Sequence, residues 1–548
     1  MKSKDSLSQP GNKSGLQSSR RRFLWGLWAF LIATILVWLL LRRNKAIDGD
    51  FADTNQLMYA GVALIWLVTV VFGFLTNGLR SGLKLIIIPV LAGFAFLVAF
   101  RLDRLDGELR PQFSWRWSAQ PELPTVSQEL DGQQPDSDTR FLPKDSDSQQ
   151  FLGPRRNATW PEFEIETDWK ANPPTILWKQ PIGEGWSSFA VQGDIAITME
   201  QRDDEEWVSA YVISNGTLLW SFVMPGRYES PIAGNGPRST PLIHGDRVFA
   251  CSAVSTIACL DFSTGRLLWS HSLNDLVGTD QAAMQNDVNW GRSGSPLVVG
   301  NSLVIPLGGT SDRKESLIAF DCSTGDELWR SGGEQISYSS PAMITLNGMS
   351  HIAYVSANSL SGFDPNSGNL LWRVEYEGLL PGPNVAQPIQ VDEQHLFFSK
   401  GYGIGARLIR ITRDMPEGKD ETGGEWSAQV VAQSQSNMRT KFTNPVIAGD
   451  AVYGLSDGIL ECINLESLDR RWKRGRYHHG QVLLLGNNLL VFAEDGRLVL
   501  VAADPTEHRE LAVFPVLGNV CWNLPALAGN RLLVRNATEA ACIELPIR

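Results

Sequence analysis

One phrase recurs along this chain and narrows what it can fold into. It reads DFSTGRLLW at Asp261–Trp269, DCSTGDELW at Asp321–Trp329 and DPNSGNLLW at Asp364–Trp372. A shorter version, VISNGTLLW, spans Val212–Trp220, and a degraded one, NLESLDRRW, spans Asn464–Trp472. The chemistry is that of a hairpin. Asp and Ser/Thr oxygens take nearby backbone N–H groups, Gly supplies a positive φ, and an alternating strand ending in Trp follows. Two more strand-like pieces precede each phrase, with a Gly-Asp or Gly-Asn turn between apolar arms. Examples are PLIHGDRVFA from Pro241, PLVVGNSLVIP from Pro296, PVIAGDAVY from Pro445, VLLLGNNLLVF from Val482 and PALAGNRLLV from Pro525.

Four short strands per unit, repeating every roughly 40 to 60 residues, predict the blades of a propeller. Units start near Phe189, Thr240, Ser295, Ser340, Gln387, Asn444, Gly480 and Leu524. The last unit lacks a Trp strand, and an orphan strand, TILWKQP at Thr175–Pro181, precedes the first. If the orphan completes the last blade, the ring closes without a free sheet edge. The expected fold is therefore all-β, an eight-bladed propeller of four-stranded antiparallel blades over residues 151–548, with seven blades as the alternative. Trp220, Trp269, Trp329, Trp372 and Trp472 hold equivalent places and are expected to dock blade against blade.

The chain before the repeats is of another kind. Apolar stretches at about 23–41, 57–75 and 83–100 predict a helical transmembrane region, preceded by a basic tail over 1–22. A cleaved signal peptide fits poorly, because no small-residue cleavage site follows the first stretch. Lys2, Lys4, Lys13 and Arg20–Arg22 favour a cytoplasmic N-terminus. Three crossings would place the propeller outside the cytoplasm; if the third stretch does not span, the propeller would be cytoplasmic. Residues 101–150 read as a juxtamembrane segment and a flexible acidic linker, with the Trp and Arg residues of DGELRPQFSWRW suited to a bilayer interface. A net charge of −11 argues against a nucleic-acid binder. The six cysteines (Cys251, Cys259, Cys322, Cys462, Cys521, Cys542) form no CxxC and no adjacent pair, and read as small apolar fillers of strands.

The recurring D-x-x-[ST]-G-x-x-x-W phrase resembles the pyrroloquinoline-quinone (PQQ)-like repeat family over roughly Phe151 to Arg548. The resemblance implies an eight-bladed ring. It also implies one of two activities: a quinoprotein alcohol dehydrogenase with PQQ and calcium at the ring's centre, or a BamB-type assembly protein that binds other proteins. The dehydrogenases carry a disulfide between adjacent cysteines, a carboxylate base beside the calcium and, in some, a CxxCH haem motif. None of these maps onto this sequence.

Residues just before each unit should converge on one mouth of the central channel. They read Trp186, Arg238, Trp290 with Arg292, Tyr338, Asn384, Arg439 with Lys441, His478 with His479, and Trp522, and acids are almost absent among them. This predicts a cationic, aromatic-lined funnel for a carboxylate, phosphate or acidic peptide. The competing reading is that these side chains brace neighbouring blades. No catalytic residue and no metal-ligand set emerges; the histidine pair lacks a nearby carboxylate or thiol. The leading expectation is a membrane-anchored scaffold that binds envelope proteins or an anionic ligand. A PQQ-dependent dehydrogenase and an extracytoplasmic ligand sensor are the alternatives.

Overall fold

The computed structural model describes residues 30, 33–43, 51–119, 121–126, 141–230, 232–310, 314–376, 383–414 and 424–548. The chain divides into two compact units, Met1–Ala119 and Gln120–Arg548.

In the first unit, residues 33–43 are helical; residues 23–29, 31 and 32 of the first apolar stretch lie outside the described residues. The second and third stretches share one unbroken run of helix, Ala52–Ala99. A straight helix would hold Asn55 about 66 Å from Ala99. Yet the Asn55 amide donates to the Glu108 carbonyl at 2.8 Å, and the Tyr59 hydroxyl to that of Leu109 at 3.3 Å. The chain from Ala99 to Glu108 can reach only about 32 Å. The run of helix therefore doubles back along its length. Ala52–Val71 is long and apolar enough to cross a membrane, and Leu83–Ala99 is a shorter apolar segment. A two-stranded hairpin follows, Phe100–Leu105 antiparallel to Pro111–Trp115.

The second unit is an eight-bladed propeller. Seven sheets have four antiparallel strands and one has five. In chain order the blades span Ala190–Pro225, Leu242–Ser272, Leu297–Ser331, Ala342–Glu375, Ile389–Ser434, Val446–Arg476, Gln481–Pro515 and Ala526–Glu544. Blade 8 takes its fourth strand from Thr175–Pro181, with Cys542 opposite Trp178. The orphan strand thus closes the ring, as its position before an incomplete last unit implied.

The recurring phrase works locally as its chemistry dictates. Asp261 Oδ1 accepts from the backbone N–H of Ser263 and Thr264 at 3.1 and 2.9 Å and from both hydroxyls. Asp321 and Asp364 repeat the pattern, and in the degraded copy Asn464 accepts from Glu466 and Ser467. The turn Gly265 has φ +70° and lies against the Trp220 ring of the preceding blade, where a Cβ would come within 2.4 Å. The same indole donates to the Phe262 carbonyl at 3.0 Å. Trp269 reaches Cys322, Trp472 reaches Asp504, and the closing strand's Trp178 reaches Ile213, each in the next blade. Trp329 packs on Gly368 of blade 4. Trp372 differs: its indole donates to His351 Nδ1 of its own blade at 3.1 Å, although its ring lies in an apolar cluster shared with blade 5.

All six cysteines are free and buried within or beside the strands. Residues 147–150, which composition assigns to the flexible linker, belong to the propeller. Ser148 exchanges backbone bonds with Leu527 and Val191 at 3.0 and 2.9 Å.

Trp220 is 6% exposed and joins two blades. Replacing it with Ala is expected to lower stability by about 3–5 kcal/mol, read as a fall in the denaturation midpoint. The same change at Leu219, partly buried against the same cluster, should have a smaller effect.

Candidate functional site

First strands of neighbouring blades touch, so the residues that open each blade meet around the axis. They form a closed circle of hydrogen bonds. The Ser188 N–H donates to Thr240 Oγ1, that of Thr240 to Ser295 Oγ, and that of Ser295 to Ser340 Oγ, at 3.3, 3.0 and 2.8 Å. The Gln387 amide side chain returns to the Ser340 carbonyl, and its N–H donates to Asn444 Oδ1 at 2.6 Å. In blade 7 the equivalent place is Gly480, where a Cβ would lie 2.1 Å from the Phe492 carbonyl. Its neighbour Gln481 substitutes, donating to the carbonyls of Phe442 and Trp522 and so joining blades 6, 7 and 8. Blade 8 has Leu524 at that place, and Asn523 closes the circle by donating to the Ser187 carbonyl at 2.9 Å.

The segment before Trp160 runs along the inside of this ring. Ser148 bonds blades 8 and 1, and the Gln149 carbonyl accepts from Ile243 of blade 2 at 2.8 Å. Arg156 is buried and donates to the carbonyls of Pro296 and Pro341, which open blades 3 and 4, at 2.9 and 2.8 Å. Thr159–Trp160 then pairs in parallel with the first strand of blade 7 as its fifth strand. Six blades are thereby held by one segment. Burial alone pushes the Arg156 pKa down, to about 9, which leaves the guanidinium charged at neutral pH. Carbonyl dipoles stabilise that charge.

A second layer fills the axis with rings. Trp186 packs on Trp522 at 4.7 Å, Trp522 on Phe442 at 5.4 Å, Phe442 on Trp290 at 6.2 Å, and Trp290 on Tyr338 at 5.0 Å. His479 meets Phe442 at 5.3 Å. Blades 1, 8, 6, 3 and 4 thus contribute to one aromatic chain, which passes from blade 6 to blade 3 across the hub.

The cations expected in the funnel are placed differently. Arg238 caps its own loop, donating to the carbonyls of Ala233, Gly234 and Gly236. Arg292 is 2% exposed and turns into the blade, bonding the Leu307 carbonyl and Asn274 Oδ1. Asn384 is buried against the carbonyls of Ser356 and Ala357. Arg439 pairs with Asp457 at 2.6 Å, Lys441 lies over the Tyr402 ring at 5.4 Å, and His478 holds a left-handed backbone, φ +54°.

Acids absent from the loops arrive from the strands and turns behind them. Glu494 accepts from the Trp522 indole at 2.9 Å and from the His479 N–H at 3.1 Å, and Glu206 accepts from the Ala253 N–H at 2.9 Å. Acidic as well as basic side chains therefore stand at the mouth. Linear reading missed them because each acid belongs to a different part of the blade from the loop it serves. Phe442 was also missed, although a register was available. Trp186, Arg238, Tyr338, His478 and Trp522 each lie three residues before the blade opener (Phe189, Pro241, Pro341, Gln481, Pro525), and Phe442 stands in the same relation to Pro445.

A PQQ–calcium pair at the ring's centre does not fit these residues. The axis is taken by the aromatic chain and by the segment bearing Arg156. Among the described residues no three His, Cys, Asp or Glu side chains gather as a metal-binding group.

The family model described as outer membrane protein assembly factor BamB matches residues 204–474. Over those residues the propeller matches the PQQ-like repeat family. Among solved structures, BamB from Moraxella catarrhalis is 15% identical, covering 68% of this chain and all of its own, with a TM-score of 0.47. The quinohemoprotein alcohol dehydrogenase ADHIIG from Pseudomonas putida HK5 is 12% identical, covering 75% of this chain and 81% of its own, with a TM-score of 0.46. Saccharomyces cerevisiae Sqt1 is 8% identical, covering 71% and 99%, with a TM-score of 0.45. No curated protein sequence matches the chain.

Two outcomes follow for this PQQ-like hub. Arg156→Ala leaves two buried carbonyls without their donor and should cost about 2–4 kcal/mol, measured by chemical denaturation. Arg156→Lys, which cannot span both acceptors in one plane, should recover only part of this. Burial raises the Glu206 pKa to about 8. The folded state thus keeps a proton that the unfolded state releases above its ordinary range. Stability from this group is full at low pH and is lost as pH rises towards about 8. Glu206→Gln should flatten the fall in denaturation midpoint between acidic and mildly alkaline buffer; an unchanged slope would show that Glu206 is ionised in the fold.

Proposed function

We propose that this protein is a membrane-tethered binding scaffold of the cell envelope, whose propeller presents its outer surfaces to other proteins. The observation that carries the reading is the filled axis. Where the chain's own rings and Arg156 occupy the hub, recognition falls to the faces and rim. The rim suits it, because the fourth strands expose apolar residues in several blades: Leu268, Leu328, Leu370, Val431 and Val513. The match to the BamB description supports the protein-binding form of the family rather than its dehydrogenase form. The apolar stretches at about 23–41, 57–75 and 83–100 supply the tether, and three crossings from a cytoplasmic basic tail leave the propeller extracytoplasmic. Anion recognition at the hub mouth has weaker support, given the Arg439–Asp457 pair and the self-capped Arg238.

The test uses the full chain in detergent. PQQ with calcium should give no saturable change in tryptophan emission and no dye reduction with alcohols. Affinity capture should return a reproducible protein partner that is lost with Leu328→Asp and Leu370→Asp. Saturable PQQ binding, or capture indifferent to the rim variants, would sink the reading.

A further inference from the structure

The hairpin after the doubled-back helix is amphipathic. Its register puts Phe100 opposite Trp115 and Leu102 opposite Phe113 on one face, with Arg101 opposite Ser114 on the other. The polar face is satisfied internally: Arg101 Nε bonds Asp103 and Ser114, and the Ser114 hydroxyl bonds Asp103. The turn is satisfied too. Buried Glu108 and Asp106 hold Arg110, and the turn is fixed to Asn55 at the start of the helix. Of the apolar face, Phe100 and Phe113 meet Phe96 of the helix, and much of the rest is open among the described residues of this unit. Phe113, Trp115 and Trp117 are 43%, 46% and 64% exposed.

Those rings form one patch continuous with the helix. Phe96 stacks on Phe100 at 4.7 Å and meets Phe113 edge-on at 4.9 Å. Phe100 meets Trp115 at 5.1 Å, and Trp115 meets Trp117 at 5.0 Å. On the N-terminal side the patch runs without a polar break into Leu97, Phe94 and Leu91 of the helix, each more than half exposed. Seventeen residues from Leu83 to Ala99 rise about 25 Å, close to the hydrocarbon thickness of a bilayer. The aromatic patch therefore begins where such a segment would leave the acyl chains. Indole and phenyl rings, with their polar strands turned away, are the chemistry that settles at that depth.

We propose that the Phe113–Trp115–Trp117 face lies in the boundary between lipid headgroups and acyl chains, making the hairpin an interfacial anchor that fixes the depth of the helical unit. The occupant of this face is a lipid surface, chosen because the covering must continue the apolar surface of the helix. The inference rests on the membrane tethering proposed above and adds to it the site and depth of lipid contact.

The six native cysteines are buried, so single reactive thiols can be introduced at Phe113→Cys and, as a second site, Trp117→Cys. Ser214→Cys on an exposed propeller turn serves as control. Each full-length variant is labelled with an environment-sensitive fluorophore and reconstituted into phosphatidylcholine–phosphatidylglycerol vesicles. Expected at both hairpin sites is a blue shift, with loss of roughly half the emission or more to lipids spin-labelled near the headgroup and a smaller loss to lipids labelled deep in the chain. The Ser214 probe should not respond. Carbonate-resistant protein with unquenched hairpin probes would overturn the interfacial anchor while leaving the tether intact. Release by carbonate would overturn the tether, and with it this proposal.

Discussion

Closure of the ring is the constraint on which the rest depends. A propeller blade has an inner edge at the axis and an outer one at the rim, and eight blades cohere only if every junction holds. Here each junction carries a hydrogen bond between the residues that open adjoining blades, from Ser188 round to Asn523. A single such bond contributes only about 1 kcal/mol net, so the circle does not by itself supply most of the stability. Its effect is geometric: short polar side chains set one spacing at the axis, and the wider apolar surfaces then meet in register. The indoles bury most of that apolar surface further out. All but Trp372 fill the gap beside the next blade's turn, and most satisfy their N–H on a carbonyl there.

The hub is the part of the fold with the most at stake. It gathers unpaired backbone carbonyls at the blade openings, and a dry interior would leave them costly. Arg156 and Ser148, carried in on one segment, satisfy several of these groups at once. The aromatic chain from Trp186 to Tyr338 covers the mouth. An axis stabilised in this way is a structural element, and it moves the recognition surface outwards.

Several features were legible in linear order. The turn phrase announced the blades, because Asp, Ser/Thr and Gly at fixed offsets need no distant partner to form a turn. The orphan TILWKQP and the incomplete last unit announced closure, because an unpaired edge strand is costly. The funnel was legible only in its aromatic half. Trp186, Trp290, Tyr338 and Trp522 do meet, since rings near the axis bury area wherever they touch. The cations did not form a free lining. Arg292 turns its bonds into the blade wall, and Arg238, although it lies in the three-residue register, caps its own loop. Composition also misplaced the start of the propeller: polar residues 147–150 look like linker until the carbonyls and N–H groups they bond come into view.

The sequence by itself determined the repeating unit and the way the ring closes, and favoured eight blades over seven, because these follow from local turn chemistry and the pairing needs of edge strands. Tertiary structure alone decided what fills the axis, which charges offset one another at its mouth, and that two apolar stretches written as one helix fold back under an aromatic hairpin. Those outcomes depend on contacts between residues far apart in the chain, such as Ser148 with Leu527 or Asn55 with Glu108. No local propensity encodes such distances; they are fixed only when the ring and the helical unit have closed.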